Sequence, residues 1–178
     1  NGVKTEVVVK GLKGRYGWEC RALFTADPGW EQTGVDASSL ELIDLGHYLY
    51  PADEGAFAAR VCDPARDPHQ EHADMIDSTR GEAKTTTYLK IYGGGAYKLS
   101  LALTVVFPDE LDLLKYRGLG AILRNLATRF DQHFVDGLDE YQKAKIAKAK
   151  IILNKFDDRI VGLKDLTTAV QAAAARGW

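Results

Sequence analysis

A predominantly helical α/β chain is what this sequence predicts, and three observations predict it. Residues 77–95, DSTRGEAKTTTYLKIYGGG, read as a helix with both ends marked; nearly everything after Gly95 carries helical periodicity; and residues 30–36, WEQTGVD, alternate as a strand. A length of 178 residues with 46% hydrophobic content suits one domain, or one large piece of a multidomain protein, with enough material for a core. The net charge of −2 argues against a chain held to nucleic acid by bulk positive charge, so any such contact is local. Cys20 and Cys62 stand far apart without CxxC spacing, so neither a zinc site nor a disulfide framework is indicated. No apolar run approaches the roughly 20 residues of a membrane span, and the start lacks a signal-peptide layout. The chain reads as soluble and cytoplasmic, with no membrane partner.

Taken in order, residues 1–15 carry the β-branched run Val7-Val8-Val9 and read as an edge strand or an irregular lead-in. In residues 16–24 the spacing of Trp18, Cys20, Leu23 and Phe24 suits a short helix, closed by a turn at Asp27-Pro28-Gly29. The strand over residues 30–36 ends on Asp36. Residues 36–49, DASSLELIDLGHYL, then predict a helix capped by Ser38 or Ser39, with Leu40, Ile43, Leu45 and Leu49 on its apolar face. Asp36 therefore sits at a strand tip just before a helix turns away, a position that presents a carboxylate to a cleft. Residues 54–62 predict a short amphipathic helix, and residues 63–68 a turn-rich connector leading into Asp67-Pro68-His69.

In residues 77–95, Thr79 and Glu82 form a capping-box pair and Gly93-Gly94-Gly95 supplies the stop. Arg80, Lys84, Tyr88 and Tyr92 follow at i+4 steps, so at roughly 3.6 residues per turn they share one slowly drifting stripe. Arg80 lies in the first turn, where free N–H groups favour an anion. A polyphosphate laid along the stripe would meet Arg80 and then Lys84, leaving the phenols to a sugar and base. Beyond it, residues 96–107 are an apolar run broken at Pro108, and residues 119–135, 141–156 and 163–175 are helical. Lys143, Lys145, Lys148, Lys150 and Lys155 read as a solvated helix face, and Asp157-Asp158 as a solvated turn between helices.

The R-x3-K-x3-Y-x3-Y-G helix resembles the nucleotide-binding O-helix of the family A, or DNA polymerase I class, DNA polymerases. Residues 36–42, D-A-S-S-L-E-L, resemble motif A of that family in its phage replicative form, and Asp67-Pro68-His69 resembles the D-x-H element ahead of the O-helix. The three matches occur in family order over about sixty residues, from Asp36 to Gly95. The resemblance implies a partial palm with the motif A strand over residues 1–50. It implies a helical fingers subdomain of a right-hand polymerase over residues 51–178, with the O-helix at about 78–92. It further implies that Asp36, helped by the Ala37 carbonyl, binds two catalytic Mg²⁺ ions, and that Glu41 walls off the sugar 2′ position. Arg80 would take the γ-phosphate, His69 the β-phosphate and Lys84 the α side, with Lys84 also placed to protonate departing pyrophosphate; Tyr88 would lie on the sugar and Tyr92 near the templating base.

Departures from the family pattern are plain. Ile43 stands where the family usually has Arg, no His-Asp pair occurs anywhere, and a TGR-type element, a thumb and an exonuclease motif are missing. Residues 108–136 are longer than the usual connection there. Two-metal phosphoryl transfer needs at least two carboxylates, so the expected activity is that of a DNA-directed DNA polymerase, inactive as this chain alone. The implied partners are primer-template DNA, a dNTP, and further polymerase chain supplying the remaining palm and thumb. Whether that remainder is another polypeptide or more of this one stays open. So does a second reading, a non-catalytic nucleotide- or DNA-binding helical domain derived from a polymerase; a purely structural helical protein is the third.

Overall fold

The structure is a computed structural model, and it describes residues 17–103 and 108–176. The chain divides into two compact units, residues 1–38 and residues 39–178. In the first, α1 (Gly17–Ala22) forms inside the expected span, and the predicted turn closes with the Trp30 N–H donating to the Asp27 carbonyl at 2.9 Å. Gly29 takes φ +88° there, a value that favours glycine. The strand expected over residues 30–36 does not form: these residues have no regular structure, and Trp30 and Val35 are 78% and 93% exposed. An extended segment becomes a strand only through ladder bonds to a neighbour, and no strand occurs among the described residues to supply them.

The regular structure described in the second unit is all helix. It runs α2 (Leu40–Asp53), α3 (Ala56–Cys62), α4 (Pro68–Ile76), α5 (Arg80–Ile91) and α6 (Ala96–Ala102). A 3₁₀ helix (Pro108–Lys115) follows, then α7 (Leu119–Phe130), α8 (Gln132–Asp136), α9 (Glu140–Arg159) and α10 (Leu163–Ala175). The buried face of α2 is Leu42, Leu45, Gly46 and Leu49, rotated from the expected one, and Leu40 and Ile43 are half exposed. Ser39 stands at the N-cap in left-handed conformation without a side-chain cap bond. Instead its carbonyl accepts the Leu42 and Ile43 N–H groups. Asp53 ends α2 and starts α3, accepting the N–H groups of Gly55 and Phe57 at 2.9 and 2.7 Å.

The expected single helix over residues 119–135 is two, α7 and α8. The break is Asp131, at φ +123°, whose carboxylate caps α8 by accepting the Phe134 N–H at 2.8 Å. Helix α9 opens on a full capping box between Asp139 and Gln142 and packs against α4, α6, α7, α10 and the 3₁₀ helix. Its lysines do not form a solvated face: Lys143, Lys145, Lys148, Lys150 and Lys155 are all half-buried, between Ala144, Ile146, Ala147, Ala149, Ile152 and Leu153. Lys143 Nζ pairs with Glu140 at 3.0 Å and Lys145 Nζ lies 5.7 Å from the centre of the Tyr141 ring. Phe57, Phe156, Leu42, Leu49, Leu99, Ile146 and Leu163 make the most deeply buried part of the core.

Candidate functional site

Two helices build the site. Asp67 precedes Pro68, which disfavours helical backbone at Asp67 and leaves it extended, the geometry of an N-cap. Its Oδ1 accepts the N–H groups of His69 and Gln70 at 3.0 and 3.2 Å, starting α4. This helix is absent from the sequence reading, which ended at the connector. Asp77, in left-handed conformation, closes α4, and Ser78 and Thr79 carry the chain straight into α5.

Thr79 caps α5 as expected, its hydroxyl accepting the Glu82 N–H at 3.3 Å, while the Glu82 carboxylate accepts the Ser78 hydroxyl. At the other end the Gly94 N–H donates to the Leu89 carbonyl at 2.7 Å and the Gly93 N–H to the Lys90 carbonyl at 3.1 Å, with Gly93 at φ +73°. That is a Schellman closure, which glycine accommodates. A Cβ on Gly94 would lie 2.9 Å from the Leu89 carbonyl oxygen and 2.4 Å from its side chain.

Between these ends, the predicted stripe faces outward. Arg80 and Lys84 are exposed, Tyr88 is half-buried, and Tyr92 caps the helix 73% exposed. Lys84 Nζ lies 5.9 Å from the centre of the Tyr88 ring. From α4, the His69 ring packs against Tyr88 with centroids 5.6 Å apart; His69 is 6% exposed, and its Nδ1 is buried without a hydrogen-bond partner. Burial and the nearby charges of Lys84 and Arg80 hold its pKa below the ordinary histidine value, with Asp67 opposing. Near neutral pH His69 is therefore held toward the neutral imidazole, beside two cations. Arg80 donates through Nε and Nη2 to Asp67 at 2.6 and 3.3 Å. The guanidinium, with the two α4 N–H groups, holds the Asp67 carboxyl below the usual carboxylate range.

Arg80, Lys84, Tyr88 and His69 are thus brought together. Glu41, in the first turn of α2, lines a groove of about 560 Å³ with Tyr92, Gly93, Leu163 and Leu166, so Glu41 and the end of α5 border one space. Asp36 and Ala37 belong to the first unit, exposed and outside regular structure; the site built here is that of the second unit. Among the described residues no three His, Cys, Asp or Glu side chains converge as metal donors.

Three features lay outside the sequence reading. Asp67 belongs to the D-x-H element without a role of its own there, and Asp before Pro at a helix start is the signal that marks it as a cap. Lys90 pairs with Asp157 at 2.6 Å, with both side chains about five-sixths buried. Asp157 is consequently a helix residue of α9 facing α5, not a solvated turn. His72, buried, shares a 2.9 Å hydrogen bond with Thr87.

The chain carrying this pair of helices is similar to DNA polymerases of bacteriophages. It is 34% identical over 100 residues to the DNA-directed DNA polymerase of Escherichia phage T7, and equally to that of Enterobacteria phage T3, covering 51% of this chain and 14% of each relative. To the DNA polymerase of Mycobacterium phage L5 it is 30% identical over 115 residues, 62% of this chain and 19% of that protein. The chain thus spans less than a fifth of the length of these relatives. No family model matches it, and no solved structure matches it. No described helix is long and apolar enough to cross a membrane.

Proposed function

We propose that this chain is the nucleotide-selecting palm and fingers portion of a DNA-directed DNA polymerase of the family A, phage replicative type, with α5 as the O-helix that grips the triphosphate of an incoming dNTP. The observation that carries the reading is the cluster on α4 and α5: two exposed cations, a neutral buried imidazole and a phenol on one face, in the order a triphosphate, sugar and base would need. Arg80 takes the γ-phosphate, His69 the β-phosphate, and Lys84 the α side, where charge shifts in the transition state. Lys84 then donates a proton to the pyrophosphate. Tyr88 lies on the sugar, Glu41 excludes a 2′-hydroxyl, and Tyr92 moves near the templating base as a selection step.

Asp36 and the Ala37 carbonyl are this chain's contribution to a two-Mg²⁺ centre. By themselves they do not make a metal site, since holding two ions needs a second carboxylate. The remaining palm, with its second carboxylate, the thumb and the primer-template complete the enzyme at the replication site. Reconstitution with the missing palm tests this reading. The mixture should extend a primed template; Lys84→Ala should lower extension by about 10- to 150-fold, since a hydrogen bond to a charged group contributes about 1.5–3 kcal/mol, and Asp36→Ala should abolish it. Equal extension rates for the variants would overturn the assigned roles.

A further inference from the structure

The fork between Arg80 and Asp67 has no part in the function proposed above. A guanidinium meets a carboxylate and a phosphate with the same planar pair of N–H groups, and here Nε and Nη2 both go to Asp67. The two side chains are 52% and 43% exposed, so a dissolved anion can reach them. Asp67 loses its strongest partner if Arg80 leaves, but it is not left without one. Its Oδ1 keeps the His69 and Gln70 N–H groups at the start of α4, where the helix dipole favours negative charge.

We propose that Asp67 is a positioning residue that competes with the triphosphate for Arg80, so that Arg80 engages a terminal phosphate only by exchanging one anion for another. The inference rests on the reading of α5 as the triphosphate-binding helix. In the exchange the guanidinium is never without a partner, and its fork is oriented before the nucleotide arrives. A terminal phosphate carries more charge than a carboxylate and displaces it; a phosphodiester, with one charge spread over two oxygens, has no such advantage. Asp67 thereby sets a threshold that favours free triphosphates over the backbone of DNA.

Titration of the full 178-residue chain with a deoxynucleoside triphosphate, and with inorganic triphosphate as a second probe, tests this. Asp67→Asn removes the charge and keeps a capping oxygen. Because exposed ion pairs are weak, the expected effect is an affinity about fivefold tighter for both probes. In an Arg80→Ala background the same substitution should change affinity by less than about twofold. A general repulsion between Asp67 and the ligand would survive Arg80→Ala, and a purely structural cap would weaken binding and lower Tm together. Unchanged or weaker binding by Asp67→Asn, in a chain whose affinity still falls on Arg80→Ala, overturns the competition and leaves the site standing. If neither Arg80→Ala nor Lys84→Ala alters triphosphate affinity, or if wild type and Asp67→Asn both fail to bind, the site reading falls and the competition with it.

Discussion

His72 is the side chain on which four helices of the second unit converge. Its ring lies 6.2 Å from that of Phe57 in α3 and 5.3 Å from that of Phe156 in α9. Its Nδ1 faces Thr87 Oγ1 in α5. The Thr87 hydroxyl already donates to the Ala83 carbonyl, so His72 Nδ1 carries a proton and donates to Thr87. Burial, with His69 and Arg60 nearby, pushes its pKa from 6.5 to about 4. An unfolded chain binds a proton at His72 more readily than the folded one, so stability is full above pH 6.5 and is lost as pH falls toward 4. At about 1.4 kcal/mol per pH unit the loss approaches about 3 kcal/mol. Denaturant unfolding at pH 7, 5.5 and 4.5 should show it, and His72→Gln should flatten the profile. Of this residue-scale chemistry the sequence disclosed the local part. Arg80, Lys84, Tyr88 and Tyr92 are joined by helical spacing alone. His72 with Thr87 and Arg80 with Asp67 are 15 and 13 residues apart and meet only because α4 and α5 pack together.

Among the elements, α5 is fixed at both ends and, besides its bonds to α4, against α9. Thr79 caps its start, the Gly93-Gly94 closure ends it, and Lys90 in its last turn reaches Asp157 on α9. Asp157 Oδ1 has no aligned hydrogen-bond donor, so the contact with Lys90 is one of charge against charge. Replacing one member of a mostly buried pair strands the other. Asp157→Asn should therefore cost about 2 kcal/mol, less than for a fully buried pair because both side chains keep some water. Lys90→Met combined with Asp157→Leu should regain most of that loss in a denaturant titration. If the double variant is no more stable than Asp157→Asn, the pair does more than neutralise itself. Helix ends such as these were readable because caps and glycine closures act over three or four residues. The burial of α9 was not, since its lysines alternate with small and branched apolar residues, and only neighbours on several sides decide that such a helix is enclosed.

At the scale of the whole molecule, the hydrophobic core draws its described residues from Leu42 to Leu163, all within the second unit. A chain beginning at Ser39 should accordingly keep its helical circular dichroism and unfold in one cooperative transition. Loss of cooperative unfolding would show that the second unit does not fold by itself. The expected strand before Asp36 failed at this scale: residues 30–36 alternate well enough, but a strand is a property of a sheet, and its partners must come from elsewhere in the chain or from another one.

Periodicity, capping pairs and glycine stops follow from the letters alone, because each depends on bonds within a turn or two of one helix. They define the span of α5 and its outward stripe of Arg80, Lys84 and Tyr88. That His69 would be buried and uncharged beneath Tyr88, that Asp67 would already hold Arg80, and that Asp157 would answer Lys90 came only with the packing of α4, α5 and α9. Those properties depend on which surfaces lose water and which charges are left facing each other, and neither is set until distant segments meet.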